Sequence, residues 1–335
     1  MAKGEVGIQE RQKAPSLKAF AARFREFIQV RCKAKPNTVL FYSCKLERLL
    51  GFDFLAEAKL DQIDELLIER FVFERRKQVE PGTVNRELAT LRRILRLAQE
   101  WKLIDRVPRV RLLDGERVRD FVLTQELEQH YLQIAPQPLK DISVLILDTG
   151  LRIGEALMLT SEHIRLKPLP RAKFGYLNVV AGKSKNARRT IPLTNRVAAL
   201  LERRVTESTS PWVFSNRDGK PYLVTSINHL HQKVREALNL PKDFVIHSLR
   251  HTMLSRLGEA GVDAFTIMQI AGHSSITVSQ RYVHPSREAV ERAVQCLEVF
   301  GGNRLTEEFS RGEEPKRRLP ATILATPVGR MAVNH

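Results

Sequence analysis

Over residues 271–284 the sequence reads AGHSSITVSQRYVH, with Tyr282 nine residues after His273 and just past a short helical stretch. A phenol titrates near pH 10 and attacks poorly at neutral pH unless its surroundings take the proton or stabilise the phenolate. A nucleophilic Tyr therefore needs helpers. Against a phosphodiester, attack builds charge on the non-bridging oxygens, which calls for preorganised cations with forked donors, Arg before Lys. The leaving alkoxide needs a proton donor as well. The expected set is two Arg, a proton donor and one or two His.

The chain supplies that set. TGLRIGEAL puts Arg152 after a Gly-bearing turn at the start of a helix, with Glu155 one turn on to orient it. HSLRH puts His247 and Arg250 three residues apart, on one helix face. GHSS supplies His273 and QRY supplies Tyr282. The basic stretch AGKSKNA carries Lys183 and Lys185, with Arg188 just after it. Singly, each has an ordinary explanation: a lone Tyr packs, a lone His is a satisfied polar residue, an Arg after a turn caps a helix. Their order over a span of 131 residues ending at Tyr282 favours an enzyme. His251 directly follows the HxxR pair as a supporting position, whereas His284 reads as surface and Arg281 receives no catalytic role.

These residues need elements to hold them. A chain of 335 residues suits two domains. Residues 1–14 are polar, without periodicity, and are expected to be disordered. Ser16 then caps a helix with Leu17, Phe20, Phe24, Phe27 and Ile28 at helical spacing. Pro36 restarts the chain, a third stripe runs from Ile63 to Phe71, and Pro81 opens a fourth helix. In that helix Val84, Leu88, Leu91, Leu95 and Ala98 form the buried stripe, with Arg86, Arg92, Arg93 and Arg96 largely off it. Residues 15–104 thus read as an all-α domain of four helices, and 105–123 as an extended linker. The second domain, 124–300, begins helical. Runs at 176–180 and 188–193 then form a hairpin with the basic stretch at its tip, and helices follow at 195–206, 226–238, 247–259 and 263–270. Residues 301–335 are expected to be mostly disordered. The fold class is mainly α with a small antiparallel β-sheet.

Charge points to the ligand. Of the net +17, residues 1–50 carry +7 and residues 151–250 carry +11, so the remainder sums to −1. Excess concentrated in two segments has the pattern of a footprint for a polyanion with two contact faces, the alternative being a solvated basic surface with no partner. No apolar run approaches the ~20 residues that span a bilayer. Three cysteines without metal-ligand spacing suit a reduced, cytoplasmic setting. Neither a metal motif nor a P-loop is present, so no cofactor is expected.

Taken together, TGLRIGEAL, HSLRH, GHSS and QRY resemble the tyrosine recombinase, or phage integrase, family, whose catalytic set is Arg, Lys, His/Lys, Arg, His/Trp and Tyr in that order. TVNRELATLRRILRLAQEW is similar to the family's N-terminal core-binding, SAM-like helical domain. The resemblance implies a four-helix core-binding domain followed by an α+β catalytic domain. It implies that Tyr282 attacks the scissile phosphate to give a 3′-phosphotyrosine, that Arg152 and Arg250 clamp the phosphate oxygens, and that His247 assists proton transfer. His273 would bond a non-bridging oxygen. Lys183 would protonate the departing 5′ oxygen, with Lys185 nearly as good a match. Lys185, Arg188, Arg86 and Arg93 are the expected DNA contacts.

The implied partner is a double-stranded DNA target site, gripped as in a clamp by the two domains, with a homotetramer assembling on it. A stripe of Val290, Ala293, Val294, Leu297 and Phe300 would either dock in a neighbouring protomer, as in that family, or fold back on its own domain. The stretch before Ser16 is too short for the extra arm-binding domain of some phage integrases, which leaves the simpler two-domain members as the match. Two alternatives stay open: a type IB topoisomerase-like enzyme that relaxes supercoils, and a DNA-binding regulator that has lost catalysis.

Overall fold

The structure is a computed structural model that describes residues 13–116, 120–180, 188–283, 290–291 and 294–295. The chain divides into two compact units, Met1–Val118 and Arg119–His335. The expectations for the 1–14 and 301–335 ends, for the hairpin tip and for most of the 290–300 stripe lie largely outside the described residues.

The first unit is built from α1 (Leu17–Arg31), α2 (Pro36–Leu50), α3 (Asp53–Ala56), α4 (Glu65–Arg76) and α5 (Pro81–Glu100). Ser16 caps α1 by accepting from the Ala19 N–H at 3.2 Å, and Asp64 caps α4 through the Leu67 N–H at 2.8 Å. Pro opens both α2 and α5, where its missing donor is harmless. The one-turn α3 is an addition to the four expected helices, too short to leave a periodic signal. Phe20, Phe24, Leu46, Leu49, Phe71 and Leu88 are buried in the centre.

One ion pair lies in this apolar interior. Glu87 is fully buried and accepts from Arg75 Nε at 2.8 Å and Nη2 at 3.0 Å, a fork-on-fork contact between α4 and α5, with Lys45 Nζ 3.6 Å away. Removing the carboxylate leaves two cations without their partner. Glu87→Ala is therefore expected to destabilise this unit by about 3–5 kcal/mol, read from the Trp101 fluorescence transition in urea.

The segment read as a linker starts out bound to the first unit. Ile104 and Val110 are buried, and the Arg109 N–H donates to Glu65 at 3.0 Å. The Asn85 amide brackets Leu113 on both sides, donating to its carbonyl at 2.8 Å and accepting from its N–H at 2.7 Å. Arg92 donates to the Val110 carbonyl. Sequence periodicity misses such a strip because its backbone groups are satisfied by side chains rather than by a ladder.

The second unit begins with α6 (Gln125–Ile134), α7 (Leu139–Thr149) and α8 (Ile153–Leu157). A three-stranded antiparallel sheet follows, β1 (Ile164–Arg165), β2 (Tyr176–Val179) and β3 (Arg189–Pro192), in the order β1-β2-β3. Leu177 pairs with Ile191 and Val179 with Arg189, the expected hairpin. Helices α9 (Asn195–Glu207), α10 (Val224–Ala237), α11 (Ile246–Glu259), α12 (Ala264–Ala271) and α13 (Ile276–Gln280) complete it. Buried α7 packs chiefly against α11. The Glu128 carboxylate on α6 binds Arg196 of α9 at 3.0 Å and Arg256 of α11 at 2.5 Å, tying three helices together. His231 is buried between the Tyr131 hydroxyl at 2.8 Å and the Phe244 carbonyl at 3.0 Å, a satisfied core histidine.

Candidate active site

The C-terminal end of α12 organises the site. A helix ends with carbonyls that lack intrahelical partners and carry partial negative charge. Here the chain turns away through Gly272 in the left-handed conformation, φ 64°. Three successive carbonyls then accept from three arginines far apart in sequence: Ile270 from Arg189 Nε at 2.6 Å, Ala271 from Arg250 Nη2 at 2.6 Å and Gly272 from Arg152 Nη2 at 3.3 Å. Glu155 braces the fan. Its carboxylate accepts from Arg152 Nη1 at 2.9 Å, from the Arg152 N–H at 2.9 Å and from Arg189 Nη2 at 2.8 Å. Burial raises the Glu155 pKa, but the Arg189 and Arg152 contacts outweigh it and keep the group ionised.

Three guanidinium groups around one carboxylate leave excess positive charge. Arg250 bears most of the strain: it is 2% exposed, with its other arm on the Gly150 carbonyl. Burial, then Arg152 and Arg189, pull its pKa down to about 9, so at neutral pH it is still charged. Arg152 keeps 41% of its side chain exposed. An anion entering beside these groups relieves the repulsion, so the site is preorganised for one.

The histidines sit in the same field. His247 lies in the first turn of α11, exposed at its edge; desolvation, then Arg250 and Arg152, lower its pKa. His273 follows Gly272 and is buried, and desolvation with Arg250 and Arg152 pushes it down to about 4. Its Nδ1 lies 2.8 Å from the Ser279 hydroxyl. His251 is lowered too, mainly by burial.

Tyr282 comes to this cluster just past α13, its N–H bonded to the Ser279 carbonyl at 3.0 Å. The ring stands edge-on to His251 with centroids 5.0 Å apart, and runs nearly parallel to the His273 ring at 6.4 Å. Burial raises the phenol pKa while Arg250 and Arg281 oppose it, so the hydroxyl is protonated at neutral pH. The segment rests on α11 at Gly258, where a Cβ would lie 1.7 Å from the Tyr282 carbonyl oxygen.

The structure thus brings Arg152, Glu155, His247, Arg250, His273 and Tyr282 together. Lys183 and Lys185 lie outside the described residues. Arg188 is exposed just before β3. In the first unit Arg86 is exposed and folds back on the Gly82 carbonyl, while Arg93 binds Glu100 at 2.8 Å and lies over the Phe27 ring at 5.2 Å. A cleft of about 620 Å³ lined by Arg92, Arg96, Arg109 and Arg111 opens where the strip crosses α5. Among the described residues no cluster of His, Cys, Asp and Glu could hold a metal ion, and no helix is long and apolar enough to cross a membrane.

Three residues of this site escaped the sequence reading: Arg189, Gly258 and Ser279. Arg189 had a signal, because it shares the parity of the inward-facing Ile191 on a strand already expected. Gly258 and Ser279 had none, since each matters only through a neighbour brought by folding.

Residues 121–289 match the phage integrase family, and residues 21–100 match the phage integrase N-terminal SAM-like domain. The chain belongs to the phage integrase family. It is 23% identical over 301 residues to the tyrosine recombinase XerC of Rickettsia prowazekii (strain Madrid E), covering 82% of this chain and 95% of that one. The Tn1549 transposon integrase in complex with a circular intermediate DNA has the same fold, with a TM-score of 0.69 at 21% identity over 85% of this chain and 100% of that chain. A lambda integrase tetramer bound to a Holliday junction superimposes with a TM-score of 0.68 at 19% identity, covering 82% of this chain and 79% of that one.

Proposed function

We propose that this chain is a site-specific DNA recombinase or integrase that cuts and rejoins strands through a covalent 3′-phosphotyrosine at Tyr282. The observation that carries the reading is the seating of Tyr282 beside His251 and His273 within the field of Arg250, in a pocket of excess positive charge. The Tyr282 oxygen bonds to phosphorus as the bond to the 5′ oxygen breaks. His247 takes the phenol proton, Arg152 and Arg250 hold the non-bridging oxygens, and His273 donates to one of them. Lys183, with Lys185 as the other candidate, gives the 5′ oxygen its proton. A 5′-hydroxyl from a second duplex then reverses the step, so the ester bond energy is kept in the protein–DNA link.

The partner is duplex DNA, and the lambda integrase tetramer supports a homotetramer as the working assembly. Lys185, Arg188, Arg86 and Arg93 contact the phosphate backbone, together with the arginine cleft on α5. Such contacts set the register of the duplex without reading its sequence.

The test uses nicked duplexes from the DNA flanking the gene. A denaturation-resistant adduct mapping to the Tyr282 peptide, with joined products from plasmids carrying two sites, is the expected result. Relaxation of any supercoiled plasmid without joined products would instead make the chain topoisomerase-like, and tight binding without adduct would make it a regulator.

The pH profile has a fixed sign. His247, His251 and His273 all titrate below the usual histidine value, so the neutral form that His247 needs as a base persists into mild acid. With subsaturating DNA, which reports the free enzyme, the acid limb of cleavage is expected below pH ~6.5. A limb at or above that pH would exclude His247 as the base.

A further inference from the structure

We infer that Ser279 is a positioning residue that fixes the His273 ring in the tautomer carrying its proton on Nε2. The geometry carries this. Ser279 is fully buried on α13, and its hydroxyl oxygen lies 2.8 Å from His273 Nδ1. Two other buried helical hydroxyls in this unit satisfy their proton on a backbone carbonyl one turn back, Ser143 on Leu139 at 2.7 Å and Thr252 on Ser248 at 2.8 Å. The Ser279 hydroxyl makes no such bond, and among the described residues its partner is the imidazole alone. A buried hydroxyl that only accepted would leave its own proton unmatched, which costs more than a typical hydrogen bond contributes. Ser279 therefore donates, and Nδ1 is the lone-pair nitrogen.

In a neutral imidazole the remaining proton must then sit on Nε2. Burial among cations keeps this ring neutral at pH 7. The consequence rests on the proposed function: His273 meets the phosphate as a donor, Nε2–H to a non-bridging oxygen. The opposite tautomer would present a lone pair to that oxygen and repel it. Ser279 also divides the labour between the histidines. With Nδ1 engaged and Nε2 protonated, His273 cannot take the phenol proton, which removes one competitor for the task that the proposed function gives to His247. Buried His231 shows the same device in a structural setting, its ring held between the Tyr131 hydroxyl and the Phe244 carbonyl.

The experiment reads tautomer and rate separately. Long-range proton–nitrogen NMR on histidine-labelled, DNA-free full chain, with His273 assigned by loss of its signals in His273→Gln, is expected to show the Nε2–H form. Ser279→Ala is expected to give a mixture of tautomers, to slow adduct formation about tenfold at saturating nicked duplex, and to leave the Kd for DNA unchanged. Ser279→Thr keeps the hydroxyl and should restore both tautomer and rate. An Nδ1–H ring in the unaltered chain, a full rate in Ser279→Ala, or an alanine-like rate in a folded Ser279→Thr would each overturn the inference. The NMR arm needs no DNA. Absence of any adduct alongside an Nε2–H ring would thus reject the recombinase chemistry while leaving the tautomer assignment standing.

Discussion

Tyr282→Phe is expected to abolish the covalent protein–DNA adduct, lowering strand cleavage by at least ~10³-fold, while duplex affinity stays within about twofold of the parent. The change deletes one oxygen and little else. The ring keeps its contacts with His251 and His273, and its backbone stays bonded to Ser279. Since Arg152, Glu155, Arg189 and Arg250 are braced by one another and by the end of α12, the anion pocket does not depend on the phenol. Binding and chemistry should therefore separate. Gel-shift titration measures the first and adduct yield on a nicked duplex the second. Adduct at the parental level in the Phe variant would transfer the nucleophile to another residue and dismantle the assignment of the pocket.

The second large effect is expected from a single methyl group. Gly258→Ala places a Cβ 1.7 Å from the Tyr282 carbonyl oxygen, against backbone that no rotamer change can relieve. Either α11 or the tyrosine segment must move by more than an ångström, and α11 is anchored by its packing on α7. The segment moves. Misplacing a reacting group by about 1 Å costs on the order of 10²-fold in rate, and that is the fall expected in adduct formation. Folding should survive, because Ala is favoured over Gly inside a helix by about 1 kcal/mol. A cleavage rate equal to that of the parent, with an unchanged thermal transition, would mean that the tyrosine segment is not seated on Gly258 when it acts.

How much of this was legible in the sequence depends on the range of the forces involved. The amphipathic helices were readable because one face of each is buried, and burial imposes a 3.6-residue period on the text. The hairpin was readable because its two short runs alternate around a basic tip. Capping residues such as Ser16 act within three positions of themselves, so their effect is local. The residue types of the candidate site were legible because Tyr chemistry on a phosphodiester needs a definite set of helpers, and motif order made the set recognisable. The bound course of the strip after Ile104 was not legible, since it depends on Asn85 in another element.

From the sequence alone follow the two-unit plan, the helical character, the cationic surplus and the choice of Arg152, Glu155, His247, Arg250, His273 and Tyr282 as the candidate set, which the fold gathers in one place. Tertiary structure alone decides how that set is made to work. The α12 terminus offers three carbonyls at once, and only folding brings Arg189, Arg250 and Arg152 to them. The same folding selects Ser279 to orient an imidazole and Gly258 to admit a backbone. The physical reason is reach. Hydrogen bonds and steric contacts act over a few ångströms, and these partners stand between 6 and 120 residues apart along the chain.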